Sequence, residues 1–428
     1  MKIALMIPQW NLIGARDLMT HLLQGMASVA HEHKLQVFVF LPEETKYTKY
    51  EVLYRVYEKI RRRFPVVSRI LVQVIRVYGI VKHKLISKKD YTVSSSNGNF
   101  EEFDGLTFIS YPQFRIYETL KAVGVDFFFP HLNPHYFGFD IPNCGYIYDC
   151  QHKYHPEFFS KKELAERDRG FQGMLDKGPV IVNARQVKYD LQIFYRADPE
   201  KIFVLPFTPK LPAEFLKDEA ELLEKYVLPA HFLMNSNQFW LHKDHPTLFR
   251  AFARLVQEPE YQDLELICTG TMEEPRKPGY IDELKALIKH LGIDEKVRLL
   301  GLIPKREQIE IMKHTSAVVQ TTLFEGGPGG GSVWDACALG VPSVISDIPV
   351  NLEIAGYEEV TFFRRKEADD LAEKIKAVLQ QPPRRLSCEA RIRRSEENIR
   401  HLGEVLLEIA QTVIKQRQTM TGTKCDYD

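Results

Sequence analysis

The sequence predicts an α/β protein with two doubly wound, Rossmann-like domains. Short apolar runs rich in Val, Ile and Phe recur along its 428 residues. Most of these runs are continuous rather than alternating, which is typical of parallel strands that are buried on both faces. Helical patterns lie between many of them, as at 245–257, 280–291 and 305–314. Alternation of strand and helix, with right-handed crossovers, produces doubly wound sheets.

The predicted strands form two series with a proline-rich stretch between them. The first series covers 3–7, 35–41, 106–110, 125–130, 145–148, 180–183 and 202–207. The second series covers 232–235, 264–269, 297–302, 317–320, 342–346 and 360–363. We therefore predict an N-terminal domain at 1–206, a linker at 207–228, a C-terminal domain at 229–385, a final helical segment at 386–418 with its amphipathic helix at 390–417, and a tail at 419–428.

Composition excludes several classes of protein. Lys plus Arg and Asp plus Glu both number 57, and a net charge of zero argues against a general nucleic-acid binder. The six cysteines lack CxxC spacing, which excludes a zinc ribbon and a thioredoxin-like motif and favours a reducing cytoplasm. The N-terminus is not typical of a signal peptide, and the most apolar window, 64–81, contains two arginines and is not typical of a membrane span. We expect a cytoplasmic protein.

One segment carries a strong local charge. Residues 46–89 hold 13 lysines and arginines against two acids, a net charge of +11 that the rest of the chain balances. The pattern predicts two helices separated at Pro65, the second with an apolar stripe opposite its charges. Such a helix suits an anionic membrane surface, and the predicted contacts are Arg61, Arg62, Arg63, Arg69 and Arg76. The alternatives are a helix packed on its own domain and contact with a polyanionic polymer.

The most informative stretch is a glycine-rich turn between a predicted strand and a predicted helix. Five glycines lie between Glu325 and Ser332, before a helix predicted at 333–339. Glycines let the backbone approach a ligand closely, and the free N–H groups of the first helical turn favour negative charge. The turn therefore suits a diphosphate, although it contains neither a Walker A motif nor a strict GxGxxG fingerprint. A tight loop that binds nothing is the alternative.

Residues 323–349 resemble the donor-binding signature of retaining GT-B glycosyltransferases of family four. Both have a glutamate, a Gly/Pro loop, an acidic residue near the start of a helix, and then ALG with a proline after it. The resemblance implies the GT-B fold, in which two Rossmann-like domains face each other across a cleft and a C-terminal helix crosses back to the first domain. It also implies a nucleotide-sugar donor held mainly by the second domain, and a saccharide or lipid-linked acceptor held mainly by the first.

The same resemblance assigns roles within the glycine-rich stretch. Glu325 is expected to hydrogen-bond the donor sugar near its reacting carbon. Asp335 stands where the family usually has a glutamate that binds the ribose, after a loop two residues longer than usual. Other donor contacts, mostly to phosphate, are expected from Gly327, Gly329, Gly330, Gly331 and Ser332. The alternative for Asp335 is a capping box with Ser332, which needs no ligand.

A second match lies at 232–252, at the start of the second domain. Lys243 matches the lysine that neutralises the departing diphosphate, and Gln238 stands where the family usually has an arginine. Arg185 is a candidate for supplying the missing cation. Residues 297–303, including Ile303, resemble the strand and loop that hold the base through backbone groups, and Glu353 is also in register with the family.

The N-terminal domain resembles the family more loosely. Gly14 partly matches a glycine-rich loop that lies under the donor phosphate. Asp149 matches the aspartate of the family's catalytic-face loop, in which Tyr148 occupies the histidine position. His152, four residues beyond Tyr148, is the candidate for the missing imidazole, as a contact to the sugar or acceptor.

These matches imply retaining transfer of a hexosyl group in the synthesis of a surface polysaccharide of the cell envelope. Lys243 and the loop amides would stabilise the departing diphosphate, which is work that a metal does in other folds, so no metal or other cofactor is expected. Nucleic acid is not an expected partner. Two alternatives stay open: a nucleotide-sugar 2-epimerase of similar two-domain fold, and a non-catalytic protein that binds a nucleotide-sugar.

Overall fold

The computed structural model describes residues 1–7, 13–42, 92–94, 105–111, 115–217, 225–382 and 385–422. The basic segment predicted at 46–89, with Arg61, Arg62, Arg63, Arg69 and Arg76, lies outside the described residues, as do residues 423–428 of the predicted tail. The described residues form two sheets with helices packed around them. The predicted α/β class is therefore confirmed.

The first sheet is built from the N-terminal half of the chain. Its strands are β1 (Lys2–Met6), β2 (Gln36–Pro42), β3 (Thr92–Ser94), β4 (Leu106–Tyr111), β5 (Phe127–His131), β6 (Asn143–Tyr146), β7 (Val180–Val182) and β8 (Ile202–Val204). They lie in the order β3-β4-β2-β1-β5-β6-β7-β8. All pairings are parallel except that of β3 with β4. Every residue of β5 is buried, and its first four residues form an uninterrupted apolar run.

The second sheet is wholly parallel. Its strands are β9 (Phe232–Ser236), β10 (Glu265–Thr269), β11 (Val297–Gly301), β12 (Ala317–Gln320), β13 (Ser343–Ser346) and β14 (Val360–Phe363). Their order is β11-β10-β9-β12-β13-β14, so the chain reverses direction across the sheet between β9 and β12. Ligands of doubly wound sheets bind outside the carboxyl ends of the strands at such a switch point.

Helices connect the strands of both sheets. Those of the first half are α1 (Ile13–Ala30), α2 (Ile116–Val123), α3 (Gln151–Tyr154), α4 (Lys161–Leu175), α5 (Arg185–Tyr195) and α6 (Ala213–Leu216). Those of the second half are α7 (His245–Leu255), α8 (Tyr280–His290), α9 (Lys305–His314), α10 (Gly330–Leu339), α11 (Ala368–Leu379) and α12 (Cys388–Gly422). Short 3₁₀ turns lie at Pro134–Gly138, Pro156–Phe158, Pro199–Lys201, Leu241–Lys243, Pro259–Tyr261 and Asn351–Ile354.

The last helix, α12, links the two halves. Near its start Arg394 Nη1 donates to the Cys337 carbonyl at 2.6 Å, and near its end Arg417 Nη2 donates to the Phe139 carbonyl at 2.7 Å. Between these points α12 packs on α1, where a Cβ built on Gly403 would lie 2.1 Å from the Gly25 carbonyl oxygen. The two backbones therefore touch, and α12 crosses back to the first sheet as predicted, over more residues than 390–417.

Two local features differ from the sequence prediction. Strand β3 was not predicted, because an edge strand of three residues is too short to show a periodic pattern. Helix α10 begins at Gly330 rather than at residue 333, because its glycines form the first turn instead of preceding it. Among the described helices, none combines the length and the apolarity that crossing a bilayer requires.

Candidate functional site

The glycine-rich loop lies between the two sheets. A Cβ built on Gly326 would lie 2.9 Å from the Tyr148 carbonyl oxygen, and one on Gly327 would lie 3.1 Å from Asn183 Nδ2. Tyr148 follows β6 and Asn183 follows β7, whereas the loop follows β12. The carboxyl ends of strands from both sheets therefore face each other across a cleft, which is where doubly wound domains bind ligands.

Lys243 and Glu325 lie in this cleft and form an ion pair through Nζ and Oε1. Lys243 is 8% exposed and ends a 3₁₀ turn between β9 and α7, while the Glu325 side chain is 11% exposed. Gln320, the last residue of β12, donates from Nε2 to the same Glu325 oxygen at 3.3 Å. The two residues predicted to contact the diphosphate and the sugar are thus brought together.

The first turn of α10 abuts Glu325. Gly329 and Gly330 have φ angles of 68° and 65°, which residues with a Cβ rarely adopt. A Cβ on Gly330 would also lie 2.9 Å from Gln320 Nε2 and 3.3 Å from Glu325 Oε1, so a larger residue would crowd both side chains. The amide of Gly329 donates to Asn351 Oδ1 at 2.8 Å. This amide is therefore already occupied and is not free to make the predicted phosphate contact. The amides of Gly330, Gly331 and Ser332 belong to the first turn, where no intrahelical partner exists.

Ser332 and Asp335 do not form the capping box considered from the sequence. Gly329 occupies the N-cap position and has no side chain that could cap the helix. Ser332 lies inside the first turn, and its buried Oγ has no hydrogen-bond partner in the part of the chain that the structure describes. Asp335 Oδ2 instead pairs with Lys305 Nζ, at the start of α9. Burial raises the pKa of Asp335, and the Lys305 charge opposes that rise.

Three other predicted donor contacts lie on different elements: Gln238, Ile303 and Gly14. Gln238 is half-buried in the loop after β9, and its carbonyl accepts from Trp240 N at 2.8 Å. Ile303 is half-buried two residues beyond β11 and packs on the apolar cluster beneath α9. Gly14 lies in the first turn of α1. Arg185 is exposed at the start of α5, and its backbone amide donates to Glu353 of the second domain.

Asp149 lies on the opposite wall of the cleft, beside Gly326. Its Oδ1 accepts from Arg167 Nη2 at 2.6 Å and from Gln151 N at 3.0 Å. Burial raises the pKa of Asp149 and the Arg167 charge opposes the rise, while the nearby Glu325 carboxylate reinforces it. Arg167 was not singled out in the sequence, because it lies in α4, away from every recognised motif.

His152 is not available to a ligand in this structure, which corrects the predicted sugar or acceptor contact. The residue is 2% exposed. Its Nε2 lies 3.1 Å from Asp168 Oδ1 and 2.7 Å from the Tyr195 hydroxyl, and its Nδ1 accepts from Arg167 Nε at 3.3 Å. Both ring nitrogens are therefore occupied within the first domain. Burial, together with the Arg167 charge, lowers the pKa of His152.

Glu353 joins the two domains. Its Oε2 accepts from the Arg185 amide at 2.9 Å and its Oε1 from the Gln186 amide at 2.6 Å. These amides belong to the first turn of α5, where a negative charge is favoured by the helix dipole. The pair of hydrogen bonds holds the second domain against the first beside the cleft.

Several buried polar atoms near the cleft have no hydrogen-bond partner among the described residues. They are Asn183 Oδ1, Asn237 Nδ2, His242 Nδ1, Gln320 Oε1 and Ser332 Oγ. Buried polar groups are nearly always paired, so a cluster of unpaired ones indicates a place for a polar ligand. No group of three or more His, Cys, Asp and Glu side chains in the described ranges has a metal-binding arrangement.

Comparisons with known proteins agree with this geometry. Residues 225–395 match the family model described as glycosyl transferases group 1. Comparison with curated protein sequences gives no match. The range that matches the family model contains Lys243, Glu325 and Asp335.

Solved structures share the fold of the whole chain. Sucrose-phosphate synthase from Thermosynechococcus elongatus is 15% identical with a TM-score of 0.58, over 98% of this chain and 99% of that chain. Anabaena Alr3699/HepE in complex with UDP and glucose is 14% identical with a TM-score of 0.53, over 100% of both chains. WaaG, a glycosyltransferase involved in lipopolysaccharide biosynthesis, is 16% identical with a TM-score of 0.53, over 96% of this chain and 99% of that chain. The chain therefore has the GT-B fold, and its residues 225–395 match the family model of glycosyl transferases group 1.

Proposed function

We propose that this protein is a retaining glycosyltransferase that moves a hexosyl group from a nucleotide-sugar to a saccharide or lipid-linked acceptor of a surface glycan. The observation that carries the proposal is the contact of Lys243 with Glu325 at the first turn of α10. This contact lies in the part of the chain that matches glycosyl transferases group 1.

The donor is proposed to lie along the second domain. Its diphosphate would accept from Lys243 and from the first-turn amides of α10, because a cation and a helix N-terminus both favour phosphate. Its sugar would then lie beside Glu325, which touches that turn. Asp335, the sixth residue of α10, would bind the ribose hydroxyls, and the backbone near Ile303 would hold the base.

Transfer breaks the bond between the sugar carbon and the diphosphate oxygen, and the electron pair leaves with the diphosphate. The acceptor hydroxyl forms the new bond on the same face, and its proton passes to the departing phosphate oxygen. Lys243 stabilises the developing negative charge in a buried setting, where a fixed cation acts strongly. We propose that this cation and the amides suffice without a metal, so that a chelator leaves the rate unchanged.

Asp149 is proposed to contact the sugar or the acceptor from the first domain, because it faces Gly326 and Glu325 across the cleft. Complexes of Anabaena Alr3699/HepE with UDP and with UDP-glucose make uridine nucleotides the first donors to test. The role of WaaG in lipopolysaccharide biosynthesis favours a lipid-linked saccharide as the acceptor class.

We also propose that the protein works in the cytoplasm at the inner face of a membrane, through the basic segment at 46–89. Flotation with anionic liposomes tests this, comparing the wild-type protein with a variant in which Arg61, Arg62 and Arg63 are replaced by Glu. Equal recovery of the two proteins with the vesicles would count against the role of this segment.

The reaction itself is tested by incubating the protein with UDP-, GDP- and dTDP-hexoses and following the products by NMR before the sugars mutarotate. We expect an α-configured product from an α-configured donor, with or without EDTA. A β-configured product would contradict retention. An isomerised nucleotide-sugar from the donor alone would identify an epimerase, and tight binding without turnover would identify a non-catalytic binding protein.

A further inference from the structure

Helix α5 presents large apolar side chains to solvent. Tyr189, Ile193 and Phe194 are 56%, 58% and 39% exposed. Tyr189 and Ile193 are four residues apart and therefore neighbours on one side of the helix. Soluble proteins rarely leave large apolar side chains clustered in water unless the cluster contacts a partner or a membrane.

Cations surround this apolar cluster. Arg185 begins the helix and is exposed, Lys188 is half-buried, and Arg196 follows the last residue and is exposed. Arg185, Tyr189, Ile193 and Arg196 follow one another at intervals of three or four residues, so they form a single stripe.

The helix shows no negative charge on this stripe. Its one carboxylate, Asp190, is 4% exposed and accepts from the Tyr154 hydroxyl at 2.6 Å and from Gln186 Nε2 at 2.8 Å. Everything that α5 exposes is therefore cationic, neutral polar or apolar. A uniformly anionic surface complements such a helix, whereas protein partners usually offer charges of both signs.

The stripe reaches the rim of the candidate site. The ring of Tyr154 lies 5.8 Å from that of Phe194 and 5.6 Å from that of Phe324, the neighbour of Glu325. On the other side, Leu352 is 50% exposed and adjoins Glu353, which binds the first amides of α5. Exposed apolar side chains thus continue from α5 to both walls of the cleft.

We propose that the α5 face, defined as Arg185, Lys188, Tyr189, Ile193, Phe194 and Arg196, docks on an anionic lipid bilayer. The cations bind lipid phosphates while the apolar side chains enter the boundary between headgroups and acyl chains. Tyrosine suits this boundary because its ring is apolar and its hydroxyl is polar. Docking in this way places the mouth of the cleft at the membrane surface, where a lipid-linked molecule can enter it.

The α5 face shares no residue with the basic segment at 46–89. The proposal goes beyond the proposed reaction, because membrane binding is measured without turnover. The test is flotation of the full chain with phosphatidylcholine vesicles, with and without phosphatidylglycerol. Two variants remove the proposed contacts: Lys188→Glu with Arg196→Glu, and Tyr189→Ser with Ile193→Ser. The matched control is Lys285→Glu with Lys289→Glu, two exposed positions on α8.

We expect each α5 variant to lower the partition onto anionic vesicles by roughly tenfold or more. In the charge variant each lost cation removes about a factor of five, and in the apolar variant the loss comes from apolar area that no longer enters the bilayer. The α8 control should bind like the wild-type protein, and hydrolysis of a soluble donor should be unchanged in the α5 variants. The same comparison is repeated in a protein in which Arg61, Arg62 and Arg63 are also replaced by Glu. Undiminished binding by the α5 variants in both backgrounds would overturn the proposal. A self-association that only these variants abolish, seen by size-exclusion chromatography, would assign the face to a second copy instead.

Discussion

Lys243 and Glu325 touch each other at the switch point of the second sheet, one after β9 and the other after β12. Both are nearly buried. A buried ion pair contributes little net stability, because removing two charges from water offsets most of their attraction. The ion pair is therefore better explained by a role in binding a ligand than by a role in stabilising the fold.

Replacing Lys243 by Met, or Glu325 by Gln, should each lower the transfer rate by about 100- to 1000-fold, the range seen when a fixed electrostatic contact is lost. The double variant should lose little more than either single variant, because residues that act as a unit are not additive. Initial rates under saturating donor provide the measurement, with the exposed Lys285→Met as the control. Losses that multiply in the double variant would show two independent roles.

Asp335→Asn should weaken nucleotide binding by about 10- to 100-fold, the usual effect of losing a hydrogen bond to a charged group. The variant should also lose the wild-type protein's preference for a nucleotide that carries ribose over one that carries 2′-deoxyribose. Isothermal titration with the two nucleotides measures both effects, and Asp282→Asn, exposed on α8, is the control. If Asp335→Asn keeps its preference for ribose, the carboxylate serves to hold Lys305 rather than the nucleotide.

Glu353→Gln should loosen the contact between the domains. The neutral amide cannot form the two charge-assisted bonds to the first turn of α5, and the change should cost about 1–2 kcal/mol. We expect a larger radius of gyration by small-angle scattering and a raised KM for the donor, with kcat little changed. Glu367→Gln, at an exposed position, should behave like the wild-type protein. Unaltered scattering and KM would show that Glu353 does not set the domain arrangement.

Gly403→Ala should destabilise the fold, because its Cβ would lie 2.1 Å from the Gly25 carbonyl oxygen and would force α12 away from α1. Overpacking of this kind costs about 1–3 kcal/mol. Gly170→Ala is the matched control: it is also within a helix, α4, and nothing lies within 4 Å of its added Cβ. That change should stabilise the protein by about 0.5–1 kcal/mol. Urea unfolding measures the free energy of unfolding of both variants. Equal changes in Gly403→Ala and Gly170→Ala would contradict the close packing of α12 on α1.

Buried histidines should make the protein less stable in acid. Burial holds the pKa of His245 down to about 3, whereas in the unfolded chain a histidine takes up its proton near pH 6.5. Between these values the unfolded state binds one more proton, so the free energy of unfolding falls by about 1.4 kcal/mol for each unit that the pH decreases. His245→Leu should reduce the slope of stability against pH by that amount over this range. An unchanged slope in urea titrations would mean that His245 is accessible to protons in the native state.

Backbone features were predictable from the sequence, because burial on both faces and glycine chemistry leave local patterns. The strands that form the cleft and the glycine-rich turn are of this kind, whereas Lys243 and Glu325 were singled out by the resemblance to the family's motifs. Their contact follows from topology, since parallel strands bring the loops after β9 and β12 to one edge of the sheet.

Side-chain partners from distant elements were not predictable. Lys305 on Asp335 and Arg167 on Asp149 come from helices that carry no motif. His152 was expected to face a ligand, but α4 and α5 enclose it and occupy both ring nitrogens. Sequence patterns indicate where the backbone runs, whereas the occupancy of each polar atom depends on which elements pack against it.

The central claim is that the cleft beside Lys243 and Glu325 holds a nucleotide-sugar. Isothermal titration of the wild-type protein with UDP-glucose and with GDP- and dTDP-sugars, repeated with Lys243→Met, tests it most directly. We predict saturable binding of at least one nucleotide-sugar at one site per chain, weakened about tenfold or more in Lys243→Met by the loss of a charged phosphate contact. Absence of binding across the panel, or equal affinity in the variant, would contradict the account.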